Sequence, residues 1–295
     1  MGIGIDTDRA SYLAEALVPA RLTRVVDIGA NPLSDPPYAP LLRLGLCEVW
    51  GFEPHPTAYE ALTRSAGPNE HYLPHAVGSG SAGELKICKS SGFTSMLEPN
   101  IATFDALQRF HDAAAVVDRQ PFETRTLDSM AEIPEFDLLK IDIQGGELAV
   151  FENGRAKLSG ALVVITELAG IPIYVDQPLI EDQAASLRGM GFSFHKFLSV
   201  NSFSFRGRFA ERMHLRKFRS QFVDGDGVFV RGLLALGEVE TERLKHLALL
   251  ADAVFDSPDV AVAVMEKLVD RGAISADAVH GYIDRLPFVS SRQEA

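Results

Sequence analysis

The sequence predicts an α/β protein: a mostly parallel β-sheet covered by helices on both faces, followed by a C-terminal helical extension. Three observations carry this prediction. Short, unbroken apolar runs, VVDI at 25–28, LLKIDI at 138–143 and LVVITEL at 162–168, read as strands buried on both faces. These runs alternate with segments of helical spacing over residues 20–205. From about residue 226 onward only helical spacing is read.

Along the chain, an amphipathic helix is expected at about 8–18, with Ala10, Leu13, Ala14 and Leu17 on one face. The first strand runs from Arg24 to Ile28 and enters a turn at Gly29. Four prolines between Asn31 and Pro40 demand a loop. A short helix follows from Tyr38 to Leu44, stopped by Gly45. The second strand is Glu48 to Glu53, and Pro56 sits at the first position of a helix to Arg64. Tyr72 to Val77 reads as a third strand, Gly83 to Lys89 as an antiparallel or outlying one, and Glu98 to Phe110 as helical. Phe136 to Ile143 and Leu162 to Leu168 are further buried strands, with a helix at Glu147 to Gly154 between them. Leu179 to Met190 is a helix ended by Gly191, and Phe192 to Val200 alternates as a strand. The tail reads as helices over VFVRGLLALG, ETERLKHLALLADAVF, PDVAVAVMEKLVDRG and SADAVHGYIDRL. The expected division is therefore a sheet domain at 1–222 and a helical extension at 223–295. The apolar faces of that extension must pack on the sheet, on each other, or on a second copy in a homo-oligomer.

With 295 residues the chain can bury a full core. A net charge of −12 makes nucleic acid a poor partner. No apolar run reaches the roughly 18–20 residues a membrane span needs. The opening MGIGIDTDRA has no basic, then apolar, secretory pattern, so the cytoplasm is the expected compartment. Cys47 and Cys88 are expected to be buried free thiols. The histidines, among them His55, His75, His195 and His214, show no metal-ligand spacing.

The strongest chemical signal is D-I-G-A-N at 27–31, with Glu53 standing 24 residues after Gly29 at the end of the next strand. Glycine there lets the backbone approach a ligand. An acid at the end of the second strand can accept hydrogen bonds from both ribose hydroxyls. The dinucleotide pattern G-x-G-x-x-G is missing, so adenosine without a pyrophosphate fits better, and S-adenosylmethionine (SAM) better than NAD. Carboxylates end three predicted strands: Glu53, Asp142 and Glu167. Ligands of open α/β sheets bind beyond the carboxyl ends of the strands, so all three are site candidates.

The segments DIGAN, GFEPHPTAYEAL, HAVGS, FTSML, TRTLDSM and LLKIDIQGGELAVFENG, in this order, resemble the FkbM family of SAM-dependent methyltransferases over roughly residues 20–200. The resemblance implies a Rossmann-like class I methyltransferase sheet, SAM as cofactor with S-adenosylhomocysteine as product, and methyl transfer to oxygen. Acceptors of that kind are hydroxyls of sugars, glycans or glycosylated small molecules. By position, Asp27, Gly29, Ala30 and Asn31 match the first SAM motif. Glu53 matches the ribose acid, Pro54 and His55 the adenine surroundings, and Ala76 and Val77 the backbone that reads the adenine edge. Asp142, Gln144, Gly145 and Glu147 match the segment beside the methionine part and the acceptor. One departure stands out: Pro32 to Pro37 replaces the glycine the family usually has after DIGAN.

An alcohol acceptor needs its proton removed, and the candidate bases are Asp142, Glu147, Glu167 and His75, with Asp142 favoured. A carboxylate pair could instead hold a divalent cation, the less favoured option, and no metal ligand is assigned. The loop at Ser90 to Ser95 could close over the acceptor. Arg206, Arg208, Arg212, Arg216, Lys217 and Arg219 form a basic run: either a solvated face, or a patch for an anionic acceptor. Two other readings stay open at this level, a nucleotide-dependent oxidoreductase and a non-catalytic SAM-binding scaffold.

Overall fold

In the computed structural model, residues 4–31 and 35–288 are described, and all structural statements concern these. The chain builds an eight-stranded sheet. Its parallel part contains β1 (Thr23–Ile28), β2 (Cys47–Phe52), β3 (Glu70–Leu73), β7 (Leu138–Ile141) and β8 (Val163–Ala169). The remaining strands of this sheet are β9 (Phe192–Phe197), β10 (Asn201–Phe203) and β11 (Gln221–Arg231). The order is β10-β11-β8-β7-β1-β2-β3, with β9 also on β11. Strand β11 is antiparallel to β8, pairing Asp226 with Glu167 and Asp224 with Ala169. A separate three-stranded sheet holds β4 (Ala76–Val77), β6 (Val116–Arg125) and β5 (Ala82–Cys88), in the order β4-β6-β5.

The apolar runs are unbroken because alternate residues serve two cores. Val25, Val49, Leu138, Val163 and Val228 face a cluster with α1 (Thr7–Leu17), α8 (Thr241–Ala253), α9 (Pro258–Asp270) and α10 (Ala276–Ile283). Their neighbours Val26, Phe52, Leu139, Val164 and Phe229 face the opposite cluster, with Val150 and Phe151 of α5 (Glu147–Glu152), Leu158 of α6 (Arg155–Leu158) and Leu187 of α7 (Ile180–Gly189). Two helices at the edge, α2 (Ala39–Arg43) and α3 (Pro56–Ser65), follow β1 and β2. A third cluster joins Phe104 and Leu107 of α4 (Ile101–Leu107) to Tyr174, Val223 and Phe203. It caps the sheet at the carboxyl ends of the parallel strands, where the loop after β8 lies.

Two expectations are corrected, and one strand was not anticipated. The segment Tyr72 to Val77 is not one strand, because Pro74 lacks the N–H needed to extend the ladder, and Ala76–Val77 pairs instead with Thr124 and Arg125 of β6. Strand β6 gave no sequence signal, since its sheet is largely exposed and its residues are mostly polar. VFVRGLLALG is not helical: Val228 to Arg231 belong to β11, which crosses the 222/223 division, and regular helix resumes only at Thr241. A strand buried on both faces has the same unbroken apolar run as a buried helix, so spacing alone does not separate them.

Helix α8 is buried from Leu247 through Ala253, under α1 and α9. The large apolar side chains of α8–α10 are thus covered within the chain, not held out for a second copy. Cys47 and Cys88 are free and buried. Among the described residues no helix is long and apolar enough to cross a membrane. One polar knot ties the helical layer together. Arg9 Nε donates to Asp252 Oδ1 at 2.5 Å, and the Tyr282 hydroxyl donates to the same oxygen at 2.7 Å. Arg9 is 2% exposed and Asp252 0%. Removing one partner of such a pair leaves a buried charge uncompensated. Asp252→Ala is therefore expected to destabilise the fold by about 3–5 kcal/mol. Chemical denaturation of the two proteins measures this, and a loss under 1 kcal/mol would mean that Arg9 is solvated some other way.

Candidate active site

Site residues gather where β1, β2, β7 and β8 end. At Gly29 the backbone takes φ +81°, and a Cβ would lie 2.0 Å from the carbonyl oxygen of Asp142. Both facts require glycine. The amide N–H groups of Gly29 and Ala30 donate to the carbonyl of Phe52 at 3.0 and 3.1 Å, and the Asp142 N–H donates to Ile28, which clamps the three strand ends together. Asn31 continues the turn through its N–H to Gly29. Pro32, Leu33 and Ser34, the heart of the departure from the family pattern, lie outside the described residues.

Asp27 is buried in register with Lys140 on the next strand. Lys140 Nζ stands 3.2 Å from Asp27 Oδ1 and donates to the Gly29 carbonyl at 3.2 Å. The Tyr38 hydroxyl donates to the other oxygen of Asp27 at 2.7 Å. Burial alone would lower the Lys140 ammonium pKa, but the charges of Asp27 and Asp142 outweigh it and hold it above its ordinary value. Burial and the neighbouring Asp27 raise the Tyr38 phenol well above its own. Thus Asp27 is anchored from two sides and orients the first turn. Glu53 is 7% exposed and accepts the His55 N–H at 2.8 Å. Burial raises its carboxyl above the usual range, opposed by that N–H. Pro54 is half-buried and His55 exposed at the mouth.

The loop after β7 carries the densest chemistry. Gln144 sits in the left-handed region at φ 59°, a position few non-glycine residues take. It is held there by its neighbours. Its Nε2 donates to Asp142 Oδ1 at 2.9 Å and to Glu167 Oε2 at 3.3 Å. Its Oε1 accepts from Tyr174 at 2.9 Å, and its carbonyl from Ser95 Oγ at 2.6 Å. Glu147, 1% exposed, accepts the backbone N–H groups of Ile143 and Gly145 at 2.9 and 3.2 Å and so closes the loop from below. Burial outweighs those two donors and pushes the Glu147 carboxyl up to about 7. Burial, Asp142 and Glu147 together push Glu167 well above the carboxylate range. Asp142, Glu147 and Glu167 each offer an oxygen within 4.8 Å of the others, a spacing that could also hold a cation.

Most of the expected residues therefore meet at one edge. His75 does not join the carboxylates Asp142, Glu147 and Glu167: it lies in the connection between β3 and β4, where its charge acts on Glu132. Ala76 and Val77 lie in the second sheet rather than the main one. Lys140, Tyr38, Ser95 and Tyr174 complete the site. Of these, Lys140 had a readable signal as a lone charge inside an apolar strand, and Ser95 stood in the loop expected to close. Tyr38 and Tyr174 had none, because their roles depend on contacts across 11 and 30 residues of sequence.

The sheet order, with an antiparallel strand inserted beside the last parallel one, and the glycine turn with its acids define a class I SAM-dependent methyltransferase. Residues 27–194 match the Methyltransferase FkbM domain, and the chain belongs to that family. No curated protein matches the chain in sequence. Among solved structures, similarity extends to a magnesium protoporphyrin IX methyltransferase from Synechocystis PCC 6803 with bound SAM. There the identity is 13%, coverage is 77% of each chain, and the TM-score is 0.36. A precorrin-6y C5,15-methyltransferase from Geobacter metallireducens GS-15 is 12% identical over 76% of this chain and 87% of its own, with a TM-score of 0.36.

The raised Glu147 carboxyl makes stability depend on pH. Its folded value, about 7, lies above that of an unfolded glutamate, about 4.3. The folded state thus favours the protonated form, and this contribution is full below about pH 4.3 and is lost as pH rises through about 7. Glu147→Gln keeps an oxygen for the two N–H groups and has no charge to bury. The variant is expected to lose less stability than the wild type between pH 5 and pH 8, with a difference of up to roughly 3 kcal/mol. Thermal melts across that range check this, and parallel curves would refute it.

Proposed function

We propose that this SAM-dependent methyltransferase transfers its methyl group to an oxygen, the hydroxyl of a sugar, a glycan or a glycosylated small molecule. The observation that carries the reading is the half-buried Asp142–Gln144–Glu167 arrangement at the strand ends, beside the Gly29 turn. Methyl transfer is an in-line displacement at a sulfonium carbon, so most of the work is alignment. A hydroxyl acceptor must in addition lose a proton, and a carboxylate within hydrogen-bond reach serves this.

Glu53, with one oxygen fixed by the His55 N–H, would accept from the ribose hydroxyls, and Pro54 and His55 would border the adenine. Ala76 and Val77 would present their backbone to the adenine edge. Gly29, Ala30 and Asn31 would pass beneath the amino-acid part of SAM, with Asp27 orienting the turn. Asp142 would take the hydroxyl proton, with Gln144 fixing its rotamer. Glu167, which burial drives toward its neutral form, would orient the acceptor. Glu147 acts as a positioning residue because both of its bonded neighbours are backbone amides of the same loop. A metal is the less favoured option in this reading, because the Gln144 amide already bridges two of the three acids.

Tritium-labelled SAM incubated with a panel of hydroxylated sugars tests the reading; alkali-stable label in the acceptor is expected, and label only on nitrogen or in alkali-labile ester would overturn it. Glu53→Ala is expected to weaken SAM binding at least tenfold by calorimetry, about 1.4 kcal/mol. Unchanged affinity would remove Glu53 from the cofactor site. Asp142→Asn should keep the fold and lose at least about a hundredfold in turnover. Wild-type turnover in that variant would exclude Asp142 as base.

A further inference from the structure

A cavity of about 130 Å³ lies beside β10, lined by four arginines, Arg109, Arg206, Arg216 and Arg219, together with Phe203 and Ser204. Arg109 comes from the segment after α4, about a hundred residues before the others, so only the fold brings the four together. Among the described residues no carboxylate pairs with any of them, although the chain as a whole carries a charge of −12. The Arg109 guanidinium lies over the Phe203 ring, 4.8 Å from its centroid, and its Nε is buried without a hydrogen-bond partner. Burial, then the like charges of Arg206 and Arg219, lower its pKa from the ordinary arginine value. A buried, unsatisfied donor beside like charges is unfavourable unless an anion joins it.

The pocket is also held in shape. Ser204 Oγ is within hydrogen-bond distance of the Leu215 and Phe218 carbonyls, at 2.6 and 2.9 Å, which folds the 205–219 segment back onto β10. The Arg206 N–H donates to Ala106 of α4. Phe203 packs edge-on against Phe110 in the cluster that also contains Tyr174, the residue hydrogen-bonded to Gln144. Register fixes the location. β10 runs outward past Asp224, the partner of Ala169 at the end of β8, so Phe203 and Ser204 lie beyond the same strand ends as Asp142 and Glu167. The volume equals the share of about four water molecules in liquid. That suits a small oxyanion.

We propose that this pocket binds a tetrahedral oxyanion, a phosphoryl or sulfuryl group carried by the methyl acceptor, and so selects anionic acceptors. The proposal rests on the methyltransferase reading for the identity of the molecule that bears the anion, and on the pocket alone for the anion. Guanidinium forks pair with carboxylate and phosphate oxygens alike through two parallel N–H bonds, but a tetrahedral oxyanion offers further oxygens to the remaining arginines, which a carboxylate or a neutral group does not.

The test is calorimetric titration of the full chain with inorganic phosphate, sulfate and acetate at constant ionic strength, alongside SAM. Millimolar or tighter binding of phosphate or sulfate is expected, with acetate at least tenfold weaker; the stronger of the first two names the group. Arg109→Gln should weaken the anion at least tenfold. The double variant R216Q/R219Q, on exposed side chains, should do the same if Arg109→Gln fails to fold. Both should bind SAM as the wild type does. Absence of phosphate and sulfate binding, equal binding of acetate, or undiminished binding in a folded variant would each overturn the pocket. Normal SAM binding in those cases confines the failure to the pocket. Anion binding lost in the variants, in a protein that binds no SAM, would uphold the pocket and sink the reading of its acceptor.

Discussion

At Gly29 the backbone of β1 passes so close to the Asp142 carbonyl that a Cβ would sit 2.0 Å from that oxygen. The site depends on this contact. It brings the ends of two neighbouring strands within one loop's reach and leaves the two following loops to shape the space above. On one side, the first turn is held by the buried Asp27–Lys140 pair and by Tyr38. On the other, the 142–147 loop is held by Glu147 beneath and by Gln144 above, whose left-handed backbone is fixed from three directions. The strain at Gln144 and the burial of Glu147 cost stability, and the sheet's two large cores supply it.

Charge divides the carboxyl edge of the sheet. Asp142, Glu147, Glu167, Asp224 and Asp226 gather there, and burial first, then the neighbouring acids, raises Glu167 well above its ordinary value. Such a field is complementary to the sulfonium of SAM, and it would repel an anionic acceptor unless another part of the edge held that acceptor. The arginine cavity beside β10 is placed to do this. Opposite fields at two places along one edge of the sheet would set the direction in which the acceptor lies. The shared aromatic cluster around Tyr174 and Phe203 connects them by packing.

The C-terminal helices are part of the core rather than an attachment. Helix α8 lies against the sheet face under α1 and α9, and the Arg9–Asp252–Tyr282 knot links the first, eighth and last helices. This layer covers the face of the sheet opposite α5–α7. Its bearing on function is that it backs the strands that carry the site.

Much was legible from the sequence alone. The unbroken apolar runs announced strands buried on both faces, since each residue along them has a core to enter. D-I-G-A-N with Glu53 announced the turn and the acid at the end of the second strand, because a local glycine and a strand-end acid need no distant partner to be recognised. The acids at 142, 147 and 167 were readable as strand-end or loop carboxylates for the same reason. Tertiary structure decided the rest. It split the third strand at Pro74, placed the polar strand β6, and made a strand of Gln221–Arg231, where spacing read a helix from residue 226. It also raised the carboxyls of Glu147 and Glu167, since burial and neighbouring charge exist only in the folded chain. Arg109 joined Arg206, Arg216 and Arg219 for the same reason. The sequence by itself determined the alternation of elements and the local turn chemistry, which depend on near neighbours; the fold determined every pairing between distant residues, because side-chain spacing carries no record of the partner across the sheet.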